Sequence, residues 1–442
     1  MPPEIIREWT LTSAFLRSNA VTKGNGCKHA FFFLIIAVLA ASVSPAQTFT
    51  TVHEFDYTHG AFPQPTSLVE DVNGNFYGTT YSGGRYQLGT IFKLTPSGTL
   101  DMLNSFTGTN GVHPFAGLVL GSDGTLYGTS AGFGFNTPDH YPHEFSGGNL
   151  FNVTEKGKLT VLYTFCYLTS CIDGSVPHGG LVQGRSDGDL YGTTSLGGAF
   201  DGGTIFKITP QGVLTPLYSF CAQPSCTDGR RPYAGLIQAS DGNFYGTTYD
   251  GGSSGSGTVF VMTPAGVLTT LYSFCAQPGC VDGAHPYAGL VQGSDGNFYG
   301  TTYGGGVGGR GTVFQITSAG VFTTLLTFEG GLQGSRPYAG LARGSDNNFY
   351  GTTTTDGANQ QGTIFEITPL GAFTALYQFC SELNCTDGSN ARGGLIQGSD
   401  GNFYGTTENG GIDEGCPLCG HNGEGTIFSL SVGLAAASGT SR

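Results

Sequence analysis

Between Ala288 and Phe328 the apolar and polar positions fall into four short runs separated by turn residues. Ala288-Gly-Leu-Val-Gln-Gly293 is a short β-type run, and Ser294-Asp295-Gly296-Asn297 after it has hairpin-turn chemistry. Phe298-Tyr-Gly-Thr-Thr-Tyr303 reads as a second strand, followed by a Gly-rich loop. Gly311 to Thr317 reads as a third strand, Ser318-Ala-Gly320 turns the chain, and Val321 to Phe328 reads as a fourth. Helical 3.6-residue patterning is absent. The segment predicts a four-stranded antiparallel meander, the unit of a propeller blade.

The same pattern recurs along the chain. Tyr-Gly-Thr-Thr or a close variant begins at Tyr77, Tyr127, Tyr191, Tyr245, Tyr299, Tyr350 and Tyr404, with spacings of 50, 64, 54, 54, 51 and 54 residues. Gly-Thr-Ile/Val-Phe follows at Gly89, Gly203, Gly257, Gly311, Gly362 and Gly425, with the variant Gly148-Asn-Leu-Phe151 in the second copy. The seventh copy runs to Leu430 and stops without a fourth strand, whereas Thr48 to Phe55 matches Val321 to Phe328. An N-terminal strand that completes the last blade closes the ring. The prediction is all-β: a seven-bladed β-propeller over residues 47–432, with a leader at 1–46 and a flexible tail at 433–442.

The pieces GSDGNFYGTT (Gly293 to Thr302), GGxxxxGT[IV]F and CxxxxCxDG resemble the tandem repeat of the bacterial choice-of-anchor tandem repeat GloVer-containing family, across the whole of residues 47–432. The resemblance implies export and, typically, a C-terminal sorting anchor; it implies no established activity. The ending Gly433 to Arg442 has neither a hydrophobic tail nor a basic stop, so release rather than anchoring is expected.

Composition agrees with a Gly-rich β protein: Gly is 76 of 442 residues without a collagen period, and 38% of residues are hydrophobic. The net charge is −14, which argues against nucleic acid as a partner. Ala30 to Ala41 is an uncharged apolar run of 12 behind Lys23, Lys28 and His29, too short for a comfortable membrane span and suited to a signal-peptide core. Ser44-Pro45-Ala46 offers a cleavage site, giving a chain that starts at Gln47, is secreted or held at the cell surface or periplasm, and keeps no transmembrane segment; a short uncleaved anchor is the other reading.

Of 11 cysteines, Cys27 lies in the leader, which leaves an even ten. The pairs Cys166 and Cys171, Cys221 and Cys226, Cys275 and Cys280, and Cys380 and Cys385 share one spacing and fall in the longer blade-to-blade connectors, as local disulfides would. Zinc would need these radiating loops to converge. Cys416 and Cys419, with His421 nearby, are open to a redox or metal reading, but without a βαβ context a fifth structural disulfide is preferred.

Ligands are expected on the face carrying the second-to-third-strand loops and the connectors, which vary in length. Two such loops are long, Ala131 to Gly147 and Glu408 to Glu424, and the first carries Asp139, His140, Tyr141, His143 and Glu144 among aromatics. Pro138 and Pro142 argue against a helical metal motif, leaving sugar stacking or a self-packed loop. Five residues before each innermost strand's Leu stand His113, Val176, Arg231, His285, Arg336 and Asn390, with Arg392 two positions past the last. In a chain poor in cations these predict a ring for an anionic ligand such as a uronate; the plainer alternative pairs Arg231 with Asp228 and His285 with Asp282. The Asp of each SDGN turn is explained by turn geometry, since one carboxylate per turn is too few for calcium.

The reading that best joins these features is an exported, monomeric, non-catalytic binding or scaffold module for an extracellular polysaccharide or cell-surface protein, with no cofactor or metal. The rivals are a polysaccharide lyase or glycoside hydrolase, whose paired carboxylates would come from the insertions, and a purely structural envelope protein. The question of catalysis stays open, with the residues leaning against it.

Overall fold

A computed structural model describes residues 47–63, 68–132, 147–411 and 423–435. Among them are seven antiparallel sheets. Six are four-stranded, and the first blade gains a fifth strand, Ala61–Pro63, where the incoming connector pairs with the end of Phe76–Ser82. Elsewhere the same contact is a single bridge, such as Ala284 with Gly304. The chain is a seven-bladed β-propeller, as the repeat predicts.

In the fifth blade the strands are Val291–Gln292, Phe298–Thr302, Thr312–Ile316 and Phe322–Thr327. The innermost strand is far shorter than the run Ala288 to Gly293. Its upstream half is drawn out of the ladder towards the preceding blade, where Thr247 Oγ1 donates to the Ala288 carbonyl at 2.8 Å. Every fourth strand also carries a β-bulge, in the fifth blade between Leu326 and Thr324, which an unbroken eight-residue pattern does not announce.

Closure is as expected. Thr48–Glu54 lies antiparallel on Thr426–Ser431 and has its bulge between Thr51 and His53, the position of the bulge in the fifth blade. The core consists of layers between neighbouring blades. One layer joins Tyr245, Val259 and Phe274 to Phe298, Phe314 and Ile316. The Phe that ends each fourth strand (Phe55, Phe106, Phe165, Phe220, Phe274, Phe328, Phe379) is at most 1% exposed. Each meets a third-strand Phe of the next blade with ring centres 5.0–5.4 Å apart. Phe55 on Phe92 is the pair that joins the last blade to the first.

The repeated polar residues are consumed by the scaffold. In all seven blades the turn Asp accepts from the hydroxyl of the Tyr that opens Tyr-Gly-Thr, at 2.7–3.0 Å. The glycine of that motif is required by packing: a Cβ at Gly246 would stand 2.6 Å from Phe260 Cζ. Cys166–Cys171, Cys221–Cys226, Cys275–Cys280 and Cys380–Cys385 are disulfides, as their common spacing predicts. The fifth expected disulfide, between Cys416 and Cys419, is not among them: Cys416 and Cys419 both lie outside the described residues. Beside each of the four bonds lies a buried Asp, such as Asp282, which accepts from Tyr272 Oη at 2.8 Å and from the Ala276 N–H at 2.9 Å. Four disulfides fit an oxidising, extracellular environment. Among the described residues no helix is long and apolar enough to cross a membrane.

Candidate functional site

Each connector reaches the propeller axis through one residue in the left-handed region, and none of these residues is glycine. They are Phe62, His113, Val176, Arg231, His285, Arg336 and Asn390, with φ between 47° and 57°. Such a conformation costs about 1–2 kcal/mol for an ordinary side chain. Neighbouring blades impose it by hydrogen bonding. The Arg231 N–H donates to the Gly202 carbonyl of the preceding blade at 2.8 Å, and the Arg231 carbonyl accepts from the Tyr249 N–H of its own blade at 3.0 Å. His285 and Arg336 donate in the same way to Ser256 and Arg310, both at 2.8 Å. Two backbone bonds, one to the preceding blade and one within its own, offset the strain. They also tie these residues to the second-to-third-strand loops of the preceding blade.

Two residues further along, a second ring of side chains faces the axis: Phe115, His178, Tyr233, Tyr287, Tyr338 and Arg392. Consecutive members touch. Centroids lie 4.3 Å apart from Phe115 to His178, 5.0 Å to Tyr233, 5.2 Å to Tyr287 and 4.4 Å to Tyr338, and the Arg392 guanidinium lies 5.3 Å from the Tyr338 ring. Its five aromatic members line an axial cavity of about 310 Å³. The residues after each collar position are small (Ala234-Gly235, Ala288-Gly289, Ala339-Gly340), which keeps the cavity open. Burial pushes the His178 imidazole down to about 4 and the Tyr338 hydroxyl up to about 12, so both are neutral near pH 7. Sequence reading stops at the cations and misses this collar. Its signal is the repeated Pro-aromatic-Ala-Gly (HPFAG, RPYAG, HPYAG, RPYAG), which resembles turn chemistry until the blades are assembled. Arg392 belongs to the collar, in the place that Tyr338 holds one blade earlier.

Above the collar the rim is charged. Arg231 Nη1 lies 3.2 Å from Asp250 Oδ2, and His285 Nδ1 lies 3.6 Å from Asp250 Oδ1. Neither pairs within its own connector. Asp228 and Asp282 are buried and hold Tyr218, Tyr272 and connector N–H groups instead, so the pairing of Arg231 with Asp228 and of His285 with Asp282 is corrected. His113 stacks on Tyr81 at 4.4 Å and donates from Nδ1 to the Tyr81 carbonyl at 2.8 Å. Arg392 Nη1 is 3.0 Å from Glu408 Oε1, and Asn390 Nδ2 donates to Glu408 Oε2 at 2.5 Å. Burial raises the Glu408 carboxyl above its ordinary range, with Arg392 working in the opposite sense. Arg336 lies over Tyr303, 5.7 Å from the ring centre.

Of the residues singled out in the sequence, His113, Arg231, His285, Arg336 and Arg392 are not among the residues that line the axial cavity; Arg392 contacts the Tyr338 ring, and the others make the contacts given above. Asp139, His140, Tyr141 and His143 lie outside the described residues, as do Cys416 and Cys419. Among the described residues no group of three or more His, Cys, Asp or Glu is arranged to hold a metal ion.

No curated protein sequence matches the chain. Among solved structures, virginiamycin B lyase from Staphylococcus aureus is similar at 16% identity and TM-score 0.55, covering 87% of this chain and 99% of that one. The extracellular domain of a hybrid two component system from B. thetaiotaomicron is similar at 10% identity and TM-score 0.55, covering 87% of this chain and 40% of that one. Likeness at these identities shows the propeller fold alone. The Gloeobacter/Verrucomicrobia repeat matches residues 40–238 and again 221–418, so the two tandem matches span most of the chain and it belongs to that repeat family.

Proposed function

We propose that this protein is an exported, non-catalytic binding module that recognises an acidic extracellular polysaccharide through the axial mouth of its loop-rich face. The observation that carries this reading is the stacked collar, in which Tyr233, Tyr287 and Tyr338 lie face on face and line the axial cavity, beside the cations His113, Arg231, His285, Arg336 and Arg392. Tyrosine hydroxyls at the ring edges can donate to and accept from sugar hydroxyls, and guanidinium groups suit carboxylates. The apolar run Ala30 to Ala41 and the four disulfides support export. The two carboxylates at the mouth among the described residues, Asp250 and Glu408, are each paired with an arginine, which supports a binding role.

The test is a glycan array of neutral and acidic polysaccharides probed with the purified protein. The same glycans are incubated with it and examined for new reducing ends or unsaturated products. Binding to acidic members without products is expected. Products would replace the module by an enzyme, and silence across the array would contradict glycan recognition altogether.

A further inference from the structure

The mouth is seven-fold in backbone but not in chemistry. The second and third blades offer His113, Phe115, Val176 and neutral His178, whereas the arginines and carboxylates belong to the fourth to seventh blades. Of the three rim and collar guanidiniums, two are already met by carboxylates, Arg231 by Asp250 and Arg392 by Glu408. Arg336 differs. It is exposed, and among the described residues no carboxylate lies within ion-pair distance of it. Its guanidinium rests over Tyr303, whose ring is 6.2 Å from Tyr338 and 5.5 Å from Tyr287. An uncompensated cation therefore borders the best-stacked part of the collar, where Tyr287 and Tyr338 lie 4.4 Å apart and 23° from parallel.

The cavity beneath holds about 310 Å³. That is the share of liquid occupied by about ten waters, room for a pyranose ring or two. A polymer laid across the mouth would touch the rim alone, and reaching the collar from mid-chain would require the polymer to double back. Resting on the polysaccharide reading above, we propose that the axial cavity captures the terminal residue of the chain, a carboxylated pyranose. The sugar meets the edges of Tyr287 and Tyr338, whose faces are taken up by Tyr233, by each other and by Arg392, and its carboxylate is held by Arg336.

The experiment is calorimetric titration of the intact protein with galacturonate, glucuronate and mannuronate, each as monosaccharide, short linear oligosaccharide and long polymer, beside the corresponding neutral sugars. Affinity counted per chain end is expected to stay constant from short oligosaccharide to long polymer, with the free monosaccharide binding the same site. Arg336→Gln is expected to weaken uronate binding about tenfold or more, as loss of a charge-assisted hydrogen bond does, while neutral-sugar binding stays within about twofold. Arg336→Lys should recover part of the preference, because a point charge replaces a planar fork. Arg343→Gln, an exposed arginine farther along the same blade, should change nothing. The Arg336 side chain is exposed, so R336Q should melt with the parent, which separates loss of binding from loss of fold. Binding that grows with chain length at equal numbers of ends would overturn chain-end capture, and an acid preference surviving R336Q would overturn the role of Arg336. Both results leave the module reading in place; failure to bind any carboxylated sugar in any form would sink both.

Discussion

Ring closure rests on Phe55, and its removal has a magnitude that can be worked out beforehand. Phe55 is 1% exposed and stands 5.4 Å from Phe92 of the first blade in an edge-to-face contact. Phe274 makes the equivalent contact inside the chain, 5.2 Å from Phe314. Truncating a buried Phe to Ala costs about 3–5 kcal/mol, of which the aromatic pair accounts for about 1. Phe55→Ala and Phe274→Ala should therefore each lower the unfolding free energy by about 4 kcal/mol, and by similar amounts, because both break one blade junction. Urea unfolding followed by near-ultraviolet circular dichroism measures both. In F55A, limited proteolysis should also release Thr48–Glu54 before the rest of the chain. The reasoning fails if F274A loses this stability while F55A loses less than about 1 kcal/mol, the range of a surface substitution. The N-terminal strand would then lie on the last blade without closing the ring.

Three further outcomes follow from individual contacts. The His178 imidazole titrates near 4 in the folded protein because of burial, against an ordinary value of 6.5, so the unfolded chain binds the extra proton between those limits. Stability linked to His178 is therefore complete above pH 6.5 and lost as the pH falls towards 4, by about 2 kcal/mol once its partial exposure is discounted. His178→Phe, compared with the parent by urea unfolding at each pH, should lack that component; identical slopes would contradict it. Val176 is β-branched at φ 56°, and Asn390 fills the same place in the seventh blade, so Val176→Asn should stabilise by about 1 kcal/mol, and a lowered urea midpoint would refute the strain argument. Asp282→Ala leaves the Tyr272 hydroxyl and the Ala276 N–H without their buried acceptor and should cost about 3 kcal/mol; a loss below about 1 kcal/mol would show that this Asp does not organise the connector.

The scaffold is legible in the sequence because each blade spends the same residues on the same contacts. Tyr-Gly-Thr-Thr, Gly-Thr-Ile/Val-Phe and the terminal Phe of the fourth strand recur in sequence as they do in space, and Thr48 to Phe55 matches a missing strand position by position. Four cysteine pairs are legible for the same reason, since each repeats one spacing at one place in the blade. The left-handed residues are not, since His113, Val176, Arg231, His285 and Arg336 favour other conformations and take this one only when the preceding blade supplies a carbonyl. The collar is invisible on similar grounds: Tyr233, Tyr287 and Tyr338 are about 50 residues apart and become neighbours only when the blades are arranged around an axis. The cations stand out in the sequence, but their partners do not, because Asp228 and Asp282 are close in sequence and committed to Tyr218 and Tyr272. Asp250, at the end of the second strand, is the group that reaches Arg231.

The measurement that bears most directly on the central claim is a crystal structure of the protein grown with a uronate oligosaccharide. The expected result places the terminal sugar in the axial cavity, against Tyr287 and Tyr338, with its carboxylate on Arg336. An oligosaccharide bound on the opposite face or along the outer edges of the blades, with the axial cavity holding only solvent, would contradict the assignment of this mouth as the binding site.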